Sequence, residues 1–284
     1  MTRKKSSPGP DPAVLAEQVK EAFDVFRLPR ARERFEELLA APEPETSRLQ
    51  WLWAVLEPQL RARVESRIER RIRESRLPER KTLAEFDFDF QQDLDRDLVL
   101  ELATLGFVDV GWNLLLAGWS GTGKSHLAKA LALNACLSNR RVRYTTSEEL
   151  LRTLNASLAD DTLEQALKPY TRPELLVIDE VGLEQVERST ASRSGLLQKV
   201  LLPRYQHHRS TIITSNIDWK DWGDYLGDHL GAAAILDRLI HRSHVLVIEG
   251  PSYREHEHQS KLRSSRTTSP KKRAAKPKKA TPSA

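Results

Sequence analysis

LLLAGWSGTGKSHLAKALA, residues Leu114 to Ala132, is the stretch whose reading decides the fold. A short apolar run comes first, then a loop with three glycines, then an alanine- and leucine-rich series with good helix propensity. Within it Gly118, Gly123, Lys124 and Ser125 satisfy G-x-x-x-x-G-K-[ST], placed between a predicted strand and a predicted helix. Gly118, Gly121 and Gly123 free the backbone to point successive N–H groups at phosphates, and the helix start adds its positive dipole end. The nucleotide-holding loop is expected to comprise Gly118, Trp119, Ser120, Gly121, Thr122, Gly123, Lys124, Ser125 and His126. Lys124 is expected on the β- and γ-phosphates of ATP, and the Ser125 hydroxyl on Mg²⁺. Trp119 is bulky for such a loop; it either covers the nucleotide from outside or fills a gap.

Working outward, short apolar runs alternate with helical patterns. Candidate strands are Asn113–Ala117, Arg141–Thr145, Leu175–Asp179, Thr211–Thr214 and His244–Ile248. Apolar runs separated by helices predict an α/β fold, a parallel sheet covered on both faces. LLVIDE (175–180) ends in two acids 55 residues after Lys124. Asp179 is the expected Mg²⁺ carboxylate, and Glu180 the group that orients and deprotonates an attacking water. Asn216, beyond the strand at Thr211–Thr214, could sense the γ-phosphate. Arg238, flanked by Ile235, Leu236, Leu239 and Ile240, could reach the γ-phosphate of a neighbouring subunit, with Arg242 one turn later as its competitor.

Residues 12–80 read as helical and form the expected N-terminal domain. Val14, Leu15, Val19, Ala22, Phe23 and Phe26 recur at helical spacing, and Phe35, Leu38 and Leu39 follow before APEPE interrupts. Ser47 is a candidate cap for a third helix carrying Trp51, Leu52, Leu56 and Leu60, with Pro58 a predicted kink. Residues 61–80 hold eight Arg against four Glu, with Val64, Ile68 and Ile72 as an apolar stripe. That segment is either a salt-bridge-laced surface helix or a contact for DNA phosphates, and Pro78 is expected to end it. Phe86, Phe88 and Phe90 alternate with acids, which predicts an extended segment with one aromatic face. Leu98, Val99, Leu102 and Leu105 predict a helix ending at Gly106.

Charge and cysteine use narrow the class. The net charge is +5, yet from Lys261 onward nine basic residues meet no acid, and subtracting nine from +5 leaves −4 for the remainder. The tail, 258–284, and residues 1–11 are expected to be disordered, with 81–257 as the ATPase domain. The tail is either a solubilising end or an arm that neutralises nucleic-acid phosphates. The single cysteine, Cys136, excludes an internal disulfide. No apolar stretch has the length of a signal peptide core or membrane span, so a cytoplasmic protein without membrane contact is expected.

The chain resembles the IstB family of insertion-sequence ATP-binding proteins, relatives of the helicase loader DnaC and the initiator DnaA. TLAEFDF (82–88), GWSGTGKSHLA (118–128), LLVIDEVG (175–182), ITSN (213–216) and LDRLIHRSHVLVIEGPSYR (236–254) carry the resemblance, over roughly residues 20–255. It implies a P-loop AAA+ ATPase that assembles as a homo-oligomer on duplex DNA, with the ATP site at a subunit interface, and assists a cognate transposase. It assigns Lys124 and Ser125 to Walker A, Asp179 and Glu180 to Walker B, Asn216 to sensor 1, and Arg238 to the arginine finger. Trp119–Ser120 departs from the commoner Pro-containing loop, Ser125 replaces the more usual Thr, and no substantial helical lid follows Tyr253. The competing reading is a DnaC-like helicase loader on single-stranded DNA. An adaptor that only binds ATP would have no use for Glu180 and Asn216, and a small-molecule kinase would need an acceptor site that the sequence does not offer.

Overall fold

A computed structural model of the protein describes residues 11–41, 47–183 and 192–259. In chain order they form α1 (Pro12–Val25), α2 (Pro29–Ala40), α3 (Arg48–Ser75), a 3₁₀ turn (Leu83–Glu85), α4 (Arg96–Ala103), α5 (Gly106–Asp109) and β1 (Asn113–Gly118). Then come α6 (Lys124–Leu137), β2 (Val142–Thr146), α7 (Ser147–Ala159), α8 (Leu163–Thr171) and β3 (Leu175–Val181). A further set follows: α9 (Arg193–Gln206), β4 (Ser210–Ser215), a second 3₁₀ turn (Trp219–Asp221), α10 (Trp222–Leu226), α11 (His229–Ile240) and β5 (Ser243–Ile248). Chain contacts divide into two units after Glu74, with Cys136–Asn139 grouped with the first.

In the second unit the five strands form one parallel sheet in the order β2-β3-β4-β1-β5. All five predicted strands are present, within one or two residues at each end. This is the P-loop α/β sheet covered by helices that the sequence predicts. β1 and β4 are buried along nearly their whole length, because helices cover both sheet faces. Leu115, Leu176, Ile178 and Ile213 pack there with Leu150 and Leu154 of α7, Leu197 and Val200 of α9, and Trp222. Asn113 stitches three elements inside this core: its Nδ2 donates to the Leu239 carbonyl at 3.2 Å and its Oδ1 accepts from Thr211 N at 2.9 Å. Helix starts follow local capping chemistry: Thr146 accepts from Glu149 N, Ser192 from Gly195 N and Asp228 from Gly231 N.

Arg204 is a large charged side chain buried at the foot of this sheet. All five of its N–H donors are used. Nε meets Thr211 Oγ1, and the two terminal nitrogens meet the carbonyls of Tyr170, Pro173, Glu174 and Ser210. The guanidinium's fixed fork suits converging loop carbonyls, which lysine could not satisfy.

Two local expectations are corrected. The helix carrying Val99 and Leu102 ends at Ala103, and the left-handed residue after it is Leu105 (φ 65°), while Gly106 opens α5. The 86–90 stretch is turned rather than extended. Thr82 and Glu85 form a reciprocal capping box, the Phe86 and Phe88 rings lie 4.9 Å apart, and Phe90 turns to Tyr253 and His256. Acids at every second position mimicked strand alternation, but the capping chemistry won.

The first unit holds α1, α2 and α3. Phe35 stacks edge-on with Phe23 and Trp51 at 5.6 and 5.7 Å, around buried Ala31 and Val55. Ser47 caps α3 as expected, exchanging hydrogen bonds with Gln50. Val19, Phe23, Phe35, Leu38 and Trp51 turn inward as predicted, joined by Ala16 and Val55, whereas Leu15, Phe26, Leu39, Leu52 and Leu60 are exposed. α3 runs as one helix through Pro58 and ends at Ser75, three residues before Pro78. The 61–80 arginines divide: Arg61, Arg70 and Arg71 pair with glutamates of the same helix, whereas Arg63 and Arg67 are exposed and have no acid partner among the described residues. Cys136 is a buried thiol that forms no disulfide among the described residues. No helix among the described residues is long and apolar enough to cross a membrane. The basic tail from Lys261 lies outside the described residues.

Candidate functional site

The phosphate loop is a bend that only glycine can make at its key positions. Gly118, Gly121 and Gly123 all have positive φ, at 141°, 83° and 100°. A Cβ on Gly118 would sit 2.2 Å from the Ile248 carbonyl oxygen, and one on Gly123 would strike the Phe86 ring at 2.6 Å. The strand β1 thus delivers the chain into the loop, and α6 leaves it starting at Lys124. Lys124 is buried, and its ammonium donates to the carbonyls of Gly118 (2.8 Å) and Trp119 (2.6 Å). Burial pushes its pKa down to about 8; the Asp179 carboxylate opposes that shift, and the positive Arg254 adds to it.

A cavity of about 450 Å³ opens over this loop. Ser120 through His126 form one wall, Glu180 and Asn216 stand at the strand tips, and Phe86, Gln91, Tyr253 and Arg254 close the other side. The loop, Glu180 and Asn216 therefore meet around one cavity, as the sequence predicts they should. Gly118 and Trp119 are not on its wall: Gly118 lies beneath the loop against β5, and the Trp119 side chain is 76% exposed. Trp119 therefore fills no gap. His126 lines the cavity, with its Nε2 2.9 Å from the Thr82 carbonyl and its ring against Phe86.

Asp179 is 1% exposed and receives a hydrogen bond of 2.8 Å from Ser125 Oγ. A carboxylate and a hydroxyl held together beside a phosphate loop are the hard oxygen donors that Mg²⁺ takes, so the residues present fit that ion. Glu180 follows at a break in the β3–β4 register between Ile178 and Val181. Its φ is 64°, a left-handed conformation that costs a non-glycine residue about 1 kcal/mol. The bulge turns the Glu180 side chain out of the buried sheet and onto the cavity wall.

Neither arginine candidate lines the cavity of its own chain. Arg238 lies on α11, its guanidinium donating to the Ala234 carbonyl at 2.6 Å. Arg242 contacts His208 and lies over the Tyr205 ring.

Reading the sequence alone misses Tyr144 and Thr214, whose hydroxyls both donate to Asp179. No local pattern marks either one, because each reaches Asp179 from a neighbouring strand. It also gives no role to the 250–254 stretch. Tyr253 N donates to the Gly121 carbonyl at 3.0 Å, and Gln91 Nε2 to the Pro251 carbonyl at 3.0 Å, so this segment is strapped across the phosphate loop.

A family model described as IstB-like ATP binding protein matches residues 24–261. A Pseudomonas aeruginosa protein named as an ATP-binding protein of insertion sequence IS21 is 39% identical over 214 residues, covering 75% of this chain and 79% of its own. A Geobacillus stearothermophilus protein named likewise for insertion sequence IS5376 is 32% identical over 241 residues, covering 84% and 94%. Among solved structures, that of DnaI is similar at a TM-score of 0.49 and 23% identity, covering 61% of this chain and 90% of its own. The chain belongs to the family of IstB-like ATP binding proteins.

Proposed function

We propose that this protein is an ATP hydrolase that assembles on duplex DNA with ATP and assists the transposase of an insertion sequence. The observation that carries the reading is the convergence of Lys124, Ser125, Glu180 and Asn216 on one cavity, with Asp179 bonded to Ser125 behind it. A site that only held ATP would not need a carboxylate displaced from its strand to face the cavity. The residue roles follow from chemistry. Lys124 neutralises the β- and γ-phosphates, and the loop N–H groups cradle them. Glu180 takes the proton of the attacking water, and Asn216 orients that water. Ser125 and Asp179 would hold magnesium, which would supply charge neutralisation on the transferring phosphoryl group. Arg238, on α11 and off the cavity of its own chain like its competitor Arg242, acts on the site of a neighbouring copy, the role that the family resemblance implies.

DNA and transposase enter by different routes. Arg63 and Arg67 lie four apart on α3, exposed and without acid partners among the described residues, and the tail sequence adds nine basic residues. The transposase reading rests on relatives named for insertion sequences.

The test is ATP turnover by purified protein alone, with duplex DNA and with single-stranded DNA, beside Lys124→Ala, with particle size read by light scattering on the same samples. Assembly that needs ATP and duplex, with turnover that changes on duplex, is the expected result. A response to single strands alone would mean a helicase loader. No turnover under any condition would leave an adaptor that binds ATP.

A further inference from the structure

Asp179 is gripped from both neighbouring strands. On one side Tyr144 of β2 donates its hydroxyl to Oδ2; on the other, Thr214 of β4 donates its hydroxyl to Oδ1, the oxygen that Ser125 also contacts. Thr214 has a second task, since its Oγ1 accepts the backbone N–H of Glu180 at 2.9 Å. That N–H also lies 3.2 Å from Asp179 Oδ1. One threonine hydroxyl therefore bonds both to the carboxylate expected beside magnesium and to the backbone of the residue expected to activate water. It does so at the point where Glu180 takes its left-handed φ of 64° and the β3–β4 register breaks.

All three side chains are sealed from solvent: Asp179 and Thr214 are each 1% exposed, and Tyr144 is 6% exposed. A buried carboxylate with fewer donors would be free to rotate or would stay uncompensated. Tyrosine suits its place because burial and the nearby carboxylates raise its pKa well above the usual value, leaving it a neutral donor at any working pH. Neither hydroxyl lines the cavity wall, so neither is placed to touch the nucleotide.

We propose that Tyr144 and Thr214 are positioning residues of the ATP site: Tyr144 fixes the plane of the Asp179 carboxylate, and Thr214 couples that carboxylate to the bulge that aims Glu180. The proposal rests on reading Asp179 as the magnesium-side carboxylate, and its test separates the two ideas. A fluorescent ATP analogue is titrated at increasing Mg²⁺ into wild type, Tyr144→Phe, Thr214→Val, Thr214→Ser and Asp179→Asn, with thermal unfolding recorded for each.

Tyr144→Phe and Thr214→Val are expected to raise the half-saturating Mg²⁺ concentration about tenfold, the scale of one lost hydrogen bond to a charged group. Their analogue binding without Mg²⁺ should stay as in wild type. Thr214→Val should also lower turnover at saturating Mg²⁺, whereas Tyr144→Phe should recover most of its turnover there. Thr214→Ser, which keeps the hydroxyl, should restore both readings. Wild-type Mg²⁺ midpoints in Tyr144→Phe and Thr214→Val, beside a shifted Asp179→Asn, would overturn the proposal and leave the site reading standing. A wild-type midpoint in Asp179→Asn as well would overturn both. Should Thr214→Val fail to fold, Thr214→Ala takes its place as the variant without the donor, and Tyr144→Phe decides its own half because phenylalanine fills the tyrosine's volume.

Discussion

Ser125 Oγ donates a 2.8 Å hydrogen bond to Asp179 Oδ1, joining the first turn of α6 to the tip of a strand 54 residues further along. Ser125→Ala leaves the phosphate loop's glycines and lysine untouched, so it should separate loop binding from magnesium binding. ATP affinity in EDTA is expected to stay within about twofold of wild type, while the gain on adding Mg²⁺ should fall by about tenfold, one lost hydrogen bond to a charged partner. Isothermal titration with and without Mg²⁺ measures both. An undiminished magnesium gain would remove Ser125 from that role.

Lys124 predicts a pH dependence. Its folded pKa of about 8 lies below its usual 10.5, chiefly through burial, so the fold disfavours the charged form. Between those values the unfolded chain holds a proton that the folded chain has lost, so this residue's contribution to stability rises with pH across that window. Phosphate binding favours the ammonium, so above pH 8 ATP binding should take up a proton. Affinity should then fall toward a limit of about tenfold per pH unit. Calorimetry at pH 8.5 in two buffers of different ionisation enthalpy reads that proton directly. Lys124→Arg should show no uptake.

Arg238 should act on a neighbour. Arg238→Ala is expected to bind ATP as wild type and to lose turnover in the assembled state, with Glu180→Gln inactive by a different route. Mixing the two proteins creates interfaces that carry an intact Glu180 facing an intact Arg238, so part of the turnover should return. No recovery on mixing would mean that the two residues do not share a composite site. If Arg242→Ala behaves this way instead, Arg242 is the trans-acting residue, and its packing on Tyr205 and His208 is the arrangement that aims it.

Arg204→Met should be strongly destabilising although it lies away from the cavity. Methionine approximates the arginine stem but leaves four carbonyls and the Thr211 hydroxyl without their donor. A loss of about 3 kcal/mol is expected by urea unfolding, with nucleotide affinity of the folded fraction unchanged. A loss below about 1 kcal/mol would mean that water replaces the guanidinium there.

Some of this was readable along the chain because the relevant physics is local. The glycines at 118, 121 and 123, the apolar runs and the acids ending LLVIDE each express a constraint on nearby backbone, and such constraints appear as spacing. Ser47 before α3 was legible for the same reason. The N-terminal faces were legible only in part: Val19, Phe23, Phe35, Leu38 and Trp51 turn inward, but helices with apolar residues on several sides leave the rest of the choice to mutual packing. Phe35 lies between Phe23 and Trp51, and that aromatic stack turned Phe26 and Leu52 outward. The 86–90 aromatics misled because period-two alternation is shared by strands and by turns whose side chains happen to diverge.

By itself the sequence determined the parallel α/β sheet, the phosphate loop and the identity of the acids and amide at the strand tips. Tertiary structure decided what holds those groups in place: Tyr144 and Thr214 converge on Asp179 from flanking strands, and the 250–254 strap crosses the loop at Gly121. The physical reason is sequence distance. A hydrogen bond between Thr214 and Asp179 spans 35 residues and depends on strand order, and strand order is chosen by the collective burial of the sheet rather than by any segment alone.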